Sequence, residues 1–198
     1  MSALVLASSS AVRARLLRAA GVDIVIDPAA VDEAPIKAEC RAAGRNAGDC
    51  ALTLSEAKAK DVAVRHPGAL VLGADQMLEC EGRWFDKPAD MAEARAQLQA
   101  LSGREHRLIT AAVVVRDGKK IWQVVERSLI TLRRFTGAFL DRYLAAMGKH
   151  VLTTVGGYEL EGLGAQLMAR IEGDYFAILG LPLLPLLAFL RDEGALAA

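Results

Sequence analysis

The stretch Leu4 to Arg18, Leu-Val-Leu-Ala-Ser-Ser-Ser-Ala-Val-Arg-Ala-Arg-Leu-Leu-Arg, constrains the fold more than any other. Leu4 to Ala7 is apolar without alternation, the pattern of a strand buried on both faces, and it breaks into three serines where a helix begins. Ser9 or Ser10 can cap that helix, Leu16, Leu17 and Ala20 give it an apolar side, and Gly21 ends it. A strand's carboxyl end thus meets a helix's amino end. Such a junction offers backbone N–H groups to an anion, with Ser8, Ser10 and Arg13 at hand as further donors.

Ala69 to Ala74 is a second unalternating run, and it ends in Asp75. If it lies parallel to the first strand, Asp75 and the serines emerge at one edge of the sheet, where α/β folds bind ligands. The acid then has a metal-binding or basic role in prospect. Between the two runs, Val22 to Ile26 reads as a strand, Val31 to Pro35 as a loop carrying Asp32 and Glu33, and Asn46 to Arg65 as a helix stopped by His66-Pro67-Gly68. Lys58, on that helix, has the character of a surface lysine.

Further on, Glu81-Gly82 turns a hairpin whose return limb leads to Lys87-Pro88. Asp90 to Leu101 is an amphipathic helix, Asp117-Gly118 joins two long β segments, and Phe135 to Met147 is a helix capped by Thr136. A glycine-rich loop spans Gly156 to Gly162, Leu167 to Ile171 is a last strand, and Leu183 to Leu190 a final buried helix. Without repeat or linker, residues 1–198 are expected to form a single α/β domain.

Charge narrows the partners. The 24 Lys and Arg balance the 24 Asp and Glu, which removes a broad electrostatic case for nucleic acid, so any anion site is local. Cys40, Cys50 and Cys80 are odd in number and separated along the chain, which indicates a reducing compartment rather than a disulfide framework. No secretion signal precedes the first strand, and the apolar Tyr175 to Leu190 stretch is too short and proline-broken to span a membrane. A cytoplasmic protein is expected.

Leu-Ala-Ser-Ser-Ser at 6–10 with Arg13, Lys58-Ala59, Gly73-Ala74-Asp75, Lys87-Pro88, Leu101-Ser102-Gly103 with His106 and Thr110, and Gly180-Leu181-Pro182 together resemble the Maf family. The resemblance implies a two-lobed, inosine-triphosphatase-like α/β fold with a long mixed sheet, flanking helices and a deep cleft, usually dimeric. The implied activity is hydrolysis of a nucleoside triphosphate between the α and β phosphates with a divalent cation, Mg²⁺ or Mn²⁺. Ser8, Ser10 and Arg13 fall on the family's phosphate-binding motif, Glu33 on its loop carboxylate, Lys58 and Lys87 on its active-site lysines, and Asp75 on its catalytic acid. Asp75 and Glu33 are the implied metal ligands. Val12, Gln76 and Glu161 coincide with positions linked to substrate choice, and Gln76 and Glu161 look like the branch acting on 7-methyl-GTP. A carboxylate at Glu161 would attract the positive charge of an N7-methylated purine. Val12 departs from that branch, which has a bulky aromatic there, and the family's Asp-Lys run is here Thr153-Thr154. A non-catalytic nucleotide-binding or division-regulating protein is the alternative.

Overall fold

The computed structural model describes residues 3–197. Its strands are β1 (Leu4–Leu6), β2 (Ile24–Ile26), β3 (Val71–Cys80), β4 (Arg83–Phe85), β5 (Glu105–Arg116), β6 (Lys119–Leu132) and β7 (Met168–Glu172). Its helices are α1 (Ala11–Ala19), α2 (Glu33–Ala42), α3 (Ala47–Ala63), α4 (Met91–Leu101), α5 (Gly137–Met147), α6 (Tyr175–Ile178) and α7 (Leu183–Asp192). The sheet is mixed and seven-stranded, in the order β2-β1-β3-β5-β6-β7, with β4 paired to β3 off that path. β1 is parallel to both β2 and β3, whereas β4 and β7 run antiparallel to β3 and β6.

The chain divides into two compact units: residues 3–76, 110–126 and 174–197 form the first, and 77–109 with 127–173 the second. In the first unit, strand alternation feeds two apolar clusters on opposite sheet faces. Leu4, Leu6, Leu72, Ala74, Ala112 and Val114 pack with Leu17 of α1 and Leu186 of α7 on one face. Val5, Ala7, Val71, Val113 and Val115 pack with Ala59, Val62 and Ala63 of α3 on the other. Helices cover both faces, which is why β1 and the start of β3 are apolar at every position.

Local signals hold at most boundaries. Ser10, Asn46, Asp90 and Thr136 are N-caps, each with a side chain that accepts from a backbone N–H of the first turn. The Glu81-Gly82 and Asp117-Gly118 turns have positive φ at both positions, the geometry that two-residue hairpins favour. Two expectations need correction. Asp32 and Glu33 do not stand on an open loop: Asp32 accepts from Ala34 N and caps α2, so Glu33 is a first-turn helical residue. Asp75 does not end its strand either, since β3 continues five residues beyond it.

In the second unit the glycine-rich segment is packed rather than loose. Gly156 and Gly157 have φ of 79° and 69°, and a Cβ on Gly156 would sit 2.7 Å from Leu78 Cδ1 and 2.8 Å from Tyr158 Cε1. His106 Nε2 and the Tyr158 hydroxyl lie 2.6 Å apart, both buried. Burial pushes His106 down to about 4.

Two outcomes follow from this packing. A Cβ at Gly73 would lie 2.0 Å from Ser55 O and 2.8 Å from Ala59 N, both backbone atoms of α3. Gly73→Ala should therefore cost about 3 kcal/mol in urea unfolding, because neither neighbour can swing aside. His106 lies below its ordinary value when folded, so the stability it contributes is complete above about pH 6.5 and is lost as the pH falls toward 4. Between pH 7 and 4 the parent should lose on the order of 3 kcal/mol more than His106→Gln, which does not titrate. Equal slopes in urea titrations would contradict this.

Candidate active site

Three elements of the first unit deliver charged groups to one point. Gly73, Asp75 and Val71 share the β3 face turned to α3, and the missing side chain of Gly73 lets that helix approach closely. Lys58, on α3, puts Nζ 2.6 Å from Asp75 Oδ1 and 2.7 Å from Glu33 Oε1. Lys37, one turn along α2, reaches Glu33 Oε2 at 3.1 Å. One ammonium thus bridges two carboxylates.

The two acids are not equivalent. Burial raises Asp75, and Lys58 opposes it without cancelling it. Burial also raises Glu33, but the hydrogen bond and charge of Lys58, joined by Lys37, outweigh it and hold the carboxyl at about 2. Glu33 is a fixed anion, while Asp75 is the better proton acceptor of the pair.

Beside them stands the β1–α1 junction. Ser8 Oγ accepts from Ser10 N at 3.2 Å and from Arg13 Nη1 at 3.1 Å, and Ser10 Oγ accepts from Arg13 N at 3.4 Å as the cap. With both Ser8 lone pairs engaged, its hydroxyl proton is left to donate. Arg13 is committed to the protein more than its sequence position suggests. Nε donates to Gly180 O at 2.7 Å, and Nη1 to Ala74 O at 2.8 Å as well as to Ser8. Burial lowers its pKa, and the charges of Asp75 and Glu33 push it back up, which places Arg13 within electrostatic reach of both carboxylates. Only Nη2 is left for a bound anion among the contacts of the described residues, so a two-nitrogen grip through Nε is not open to it.

Gln76 follows Asp75 and so points to the opposite sheet face. Its Nε2 faces Thr110 Oγ1 at 2.9 Å, Ala177 O at 3.0 Å and Ile178 O at 3.1 Å, and Thr110 Oγ1 itself donates to Ala177 O at 2.8 Å. Val12 is half-buried against the α1 and α7 apolar cluster. Lys87 and Glu161 belong to the second unit, both exposed, on the segment between β4 and α4 and in the turn after Tyr158.

Ser8, Ser10, Arg13, Glu33, Lys58 and Asp75 are therefore one constellation. Lys37 was not singled out from sequence, although its Glu-to-Lys spacing of four is the signal that finds it once α2 is known to be a helix. Gly180 stands in the Gly180-Leu181-Pro182 motif, but its contact with Arg13 has no signal in the sequence, because the carbonyl meets the guanidinium across 167 residues. Cys40 and Cys50, ten residues apart, meet in space, and burial with the neighbouring thiol pushes Cys50 up to about 12.

The family model described as Maf-like protein matches residues 3–193. A nucleoside triphosphate pyrophosphatase of Paramagnetospirillum magneticum is 54% identical over 96% of this chain and 98% of its own. A 7-methyl-GTP pyrophosphatase of Mesorhizobium japonicum is 51% identical over 98% and 97%. A nucleoside triphosphate pyrophosphatase of Granulibacter bethesdensis is 49% identical over 98% of each.

The electrostatic arrangement has a direct test. Lys58→Met removes the shared cation, so the carboxyl pKa values of both Asp75 and Glu33 should rise, and ¹³C carboxyl titration should record the change. Unmoved carboxyl titrations would show that the bridge does not set them.

Proposed function

The chain belongs to the Maf-like protein family, and from that premise we infer that it is a nucleoside triphosphate pyrophosphatase, releasing pyrophosphate and leaving the nucleoside monophosphate. The observation that carries the reading is the Asp75–Lys58–Glu33 bridge beside the serine-lined amino end of α1. Ser8 O–H, the α1 backbone N–H groups and Arg13 Nη2 suit phosphate oxygens, and Lys58 adds positive charge. Asp75 orients a water on the α phosphorus and takes its proton as the new P–O bond forms. The bond from that phosphorus to the bridging oxygen breaks, and the oxygen leaves with pyrophosphate. No described helix is long and apolar enough to cross a membrane.

The donor set fits a divalent cation of the Mg²⁺ or Mn²⁺ type. Asp75 and Glu33 supply two hard oxygen donors, and no cluster of three or more ligating side chains exists among the described residues, so phosphate oxygens and water would complete the shell. Such a cation supplies charge neutralisation at the phosphates. We extend the reading, on family resemblance, to Lys87 as a further active-site cation and to a cytoplasmic homodimer. Sedimentation at twice the chain's mass would support the dimer.

For the base, relatives of near-equal identity carry both the general and the 7-methyl-GTP names, and Glu161 favours the second. An exposed carboxylate attracts a cationic purine and offers a neutral pyrimidine no charge.

Asp75→Asn should lower pyrophosphate release at least roughly 1000-fold while leaving the thermal transition in place, since the amide keeps the shape and loses the basic oxygen. Near-parental rates would remove Asp75 from its role. Across 7-methyl-GTP, GTP, UTP and dTTP with Mg²⁺ or Mn²⁺, the parent should favour 7-methyl-GTP, and Glu161→Gln should cut that preference by roughly 5- to 150-fold. A parent that prefers UTP or dTTP leaves only the general activity.

A further inference from the structure

The second unit holds a buried polar pair that the chemistry above does not use. Tyr158 and His106 are 5% and 2% exposed, and the tyrosine hydroxyl meets His106 Nε2 at 2.6 Å. Tyr158 is the side-chain partner of the ring, and the Arg104 backbone is the other polar group that acts on it. Burial lowers the histidine and raises the tyrosine, so the bond joins two neutral groups, and its strength depends on direction rather than on charge.

What that bond holds is the turn carrying Glu161. On its amino side, the Tyr143 hydroxyl donates to Gly157 O at 3.0 Å, and the left-handed Gly156 and Gly157 seat the backbone against Leu78 and Leu98. On its carboxyl side, Gly162 N donates to Glu159 O at 3.3 Å, and a Cβ on Gly164 would come within 2.4 Å of that same oxygen. Tyr158, at the start of this turn, reaches His106 of β5 through its hydroxyl. Glu161 stands exposed at the tip, three residues along.

We propose that His106 and Tyr158 are positioning residues for base selection: their buried hydrogen bond, backed by Tyr143 on Gly157 O, fixes the Glu159–Gly162 turn so that Glu161 is presented in one place to the base. The inference rests on the assignment of Glu161 as the base-reading carboxylate. A charge on a loose turn attracts a cation but discriminates poorly, because the contact is averaged over positions. A charge on a pinned turn discriminates.

The test uses the full chain and catalytic efficiencies for 7-methyl-GTP and GTP. Tyr158→Phe should lower the 7-methyl-GTP to GTP ratio by roughly 5-fold, chiefly through KM, with kcat within about 2-fold of the parent. His106→Gln, which retains a polar partner for the hydroxyl, should keep most of the ratio. Tyr158→Phe combined with Glu161→Gln should match Glu161→Gln alone, because placement has no effect once the charge is gone. Leu140→Ala, a core truncation in α5 of the same unit, should lower stability and leave the ratio unchanged. If Tyr158→Phe does not fold, Tyr143→Phe, which frees Gly157 O, should move the ratio the same way. A folded Tyr158→Phe with the parental ratio, a shift of equal size in Leu140→Ala, or multiplying effects in the double variant would overturn the proposal while leaving Glu161 as base reader. If Glu161→Gln itself leaves the ratio at the parental value, the base assignment fails, and the positioning role fails with it.

Discussion

The bridge from Lys58 Nζ to Asp75 and Glu33 is the contact on which the charged constellation of the first unit depends. Each partner comes from a different element, so the bridge also records how β3, α2 and α3 are assembled. Two carboxylates this close to one point repel, and with the ammonium removed one of them would hold a proton. Taking such groups out of water is costly, and a buried pair that loses one member destabilises a fold by about 3–5 kcal/mol. The arrangement therefore needs close placement of α3 on β3. Gly73 provides it by leaving room for the Ser55 carbonyl, two residues before the acid on the same strand face.

Unequal environments divide the work between the two acids. Glu33 faces two lysines and is half-exposed on the first turn of α2, so it stays ionised wherever the protein is folded. Asp75 is 6% exposed in mid-strand, and burial makes it the more basic oxygen. Carboxylates whose environments push them apart are the usual means of separating a fixed charge from a proton acceptor in one site. Lys37, Lys58 and Arg13 together outnumber the two acids, which suits a substrate that brings several negative charges.

What was legible in the sequence followed from short-range physics. The β1–serine–α1 junction, the capped helices and both two-residue hairpins need only neighbours within a few positions, and their boundaries hold to within one or two residues at most ends. α2 was missed because Glu33, Pro35 and Lys37 give it little apolar face, only Cys40 being buried, so its periodic signal was too weak to oppose the loop signal of Asp-Pro upstream. Lys58 reads as a surface residue because it sits in a charged helical stretch with Glu56, Lys60 and Asp61, none of which is its partner. Its partners lie 17 and 25 residues away, on elements whose packing decides the contact. Arg13 reads as an open phosphate clamp for the same reason: the carbonyls that occupy it, Ala74 and Gly180, are visible only in the folded chain.

The place of Asp75 inside a strand, rather than at its end, has a structural consequence of its own. Alternation sends Asp75 to the α3 face and Gln76 to the other, so adjacent residues serve separate tasks. On the far face Gln76, Thr110 and Arg13 take the carbonyls of Ala177, Ile178 and Gly180, the last turn of α6 and the residues just after it. The helix end supplies only part of what these carbonyls can accept: Ala177 O takes the Gly180 N–H at 2.9 Å, and a four-residue helix ends before it can add a following turn. Side-chain donors rooted in β3, β5 and α1 replace the missing turn. The same guanidinium that meets the carbonyl after α6 also holds Ser8 Oγ, so the backbone after α6 and the serine of the β1–α1 junction are fixed by one group. A residue at position 13 that kept the positive charge but lost the planar fork would satisfy at most part of this geometry, which is why lysine is not equivalent to arginine there.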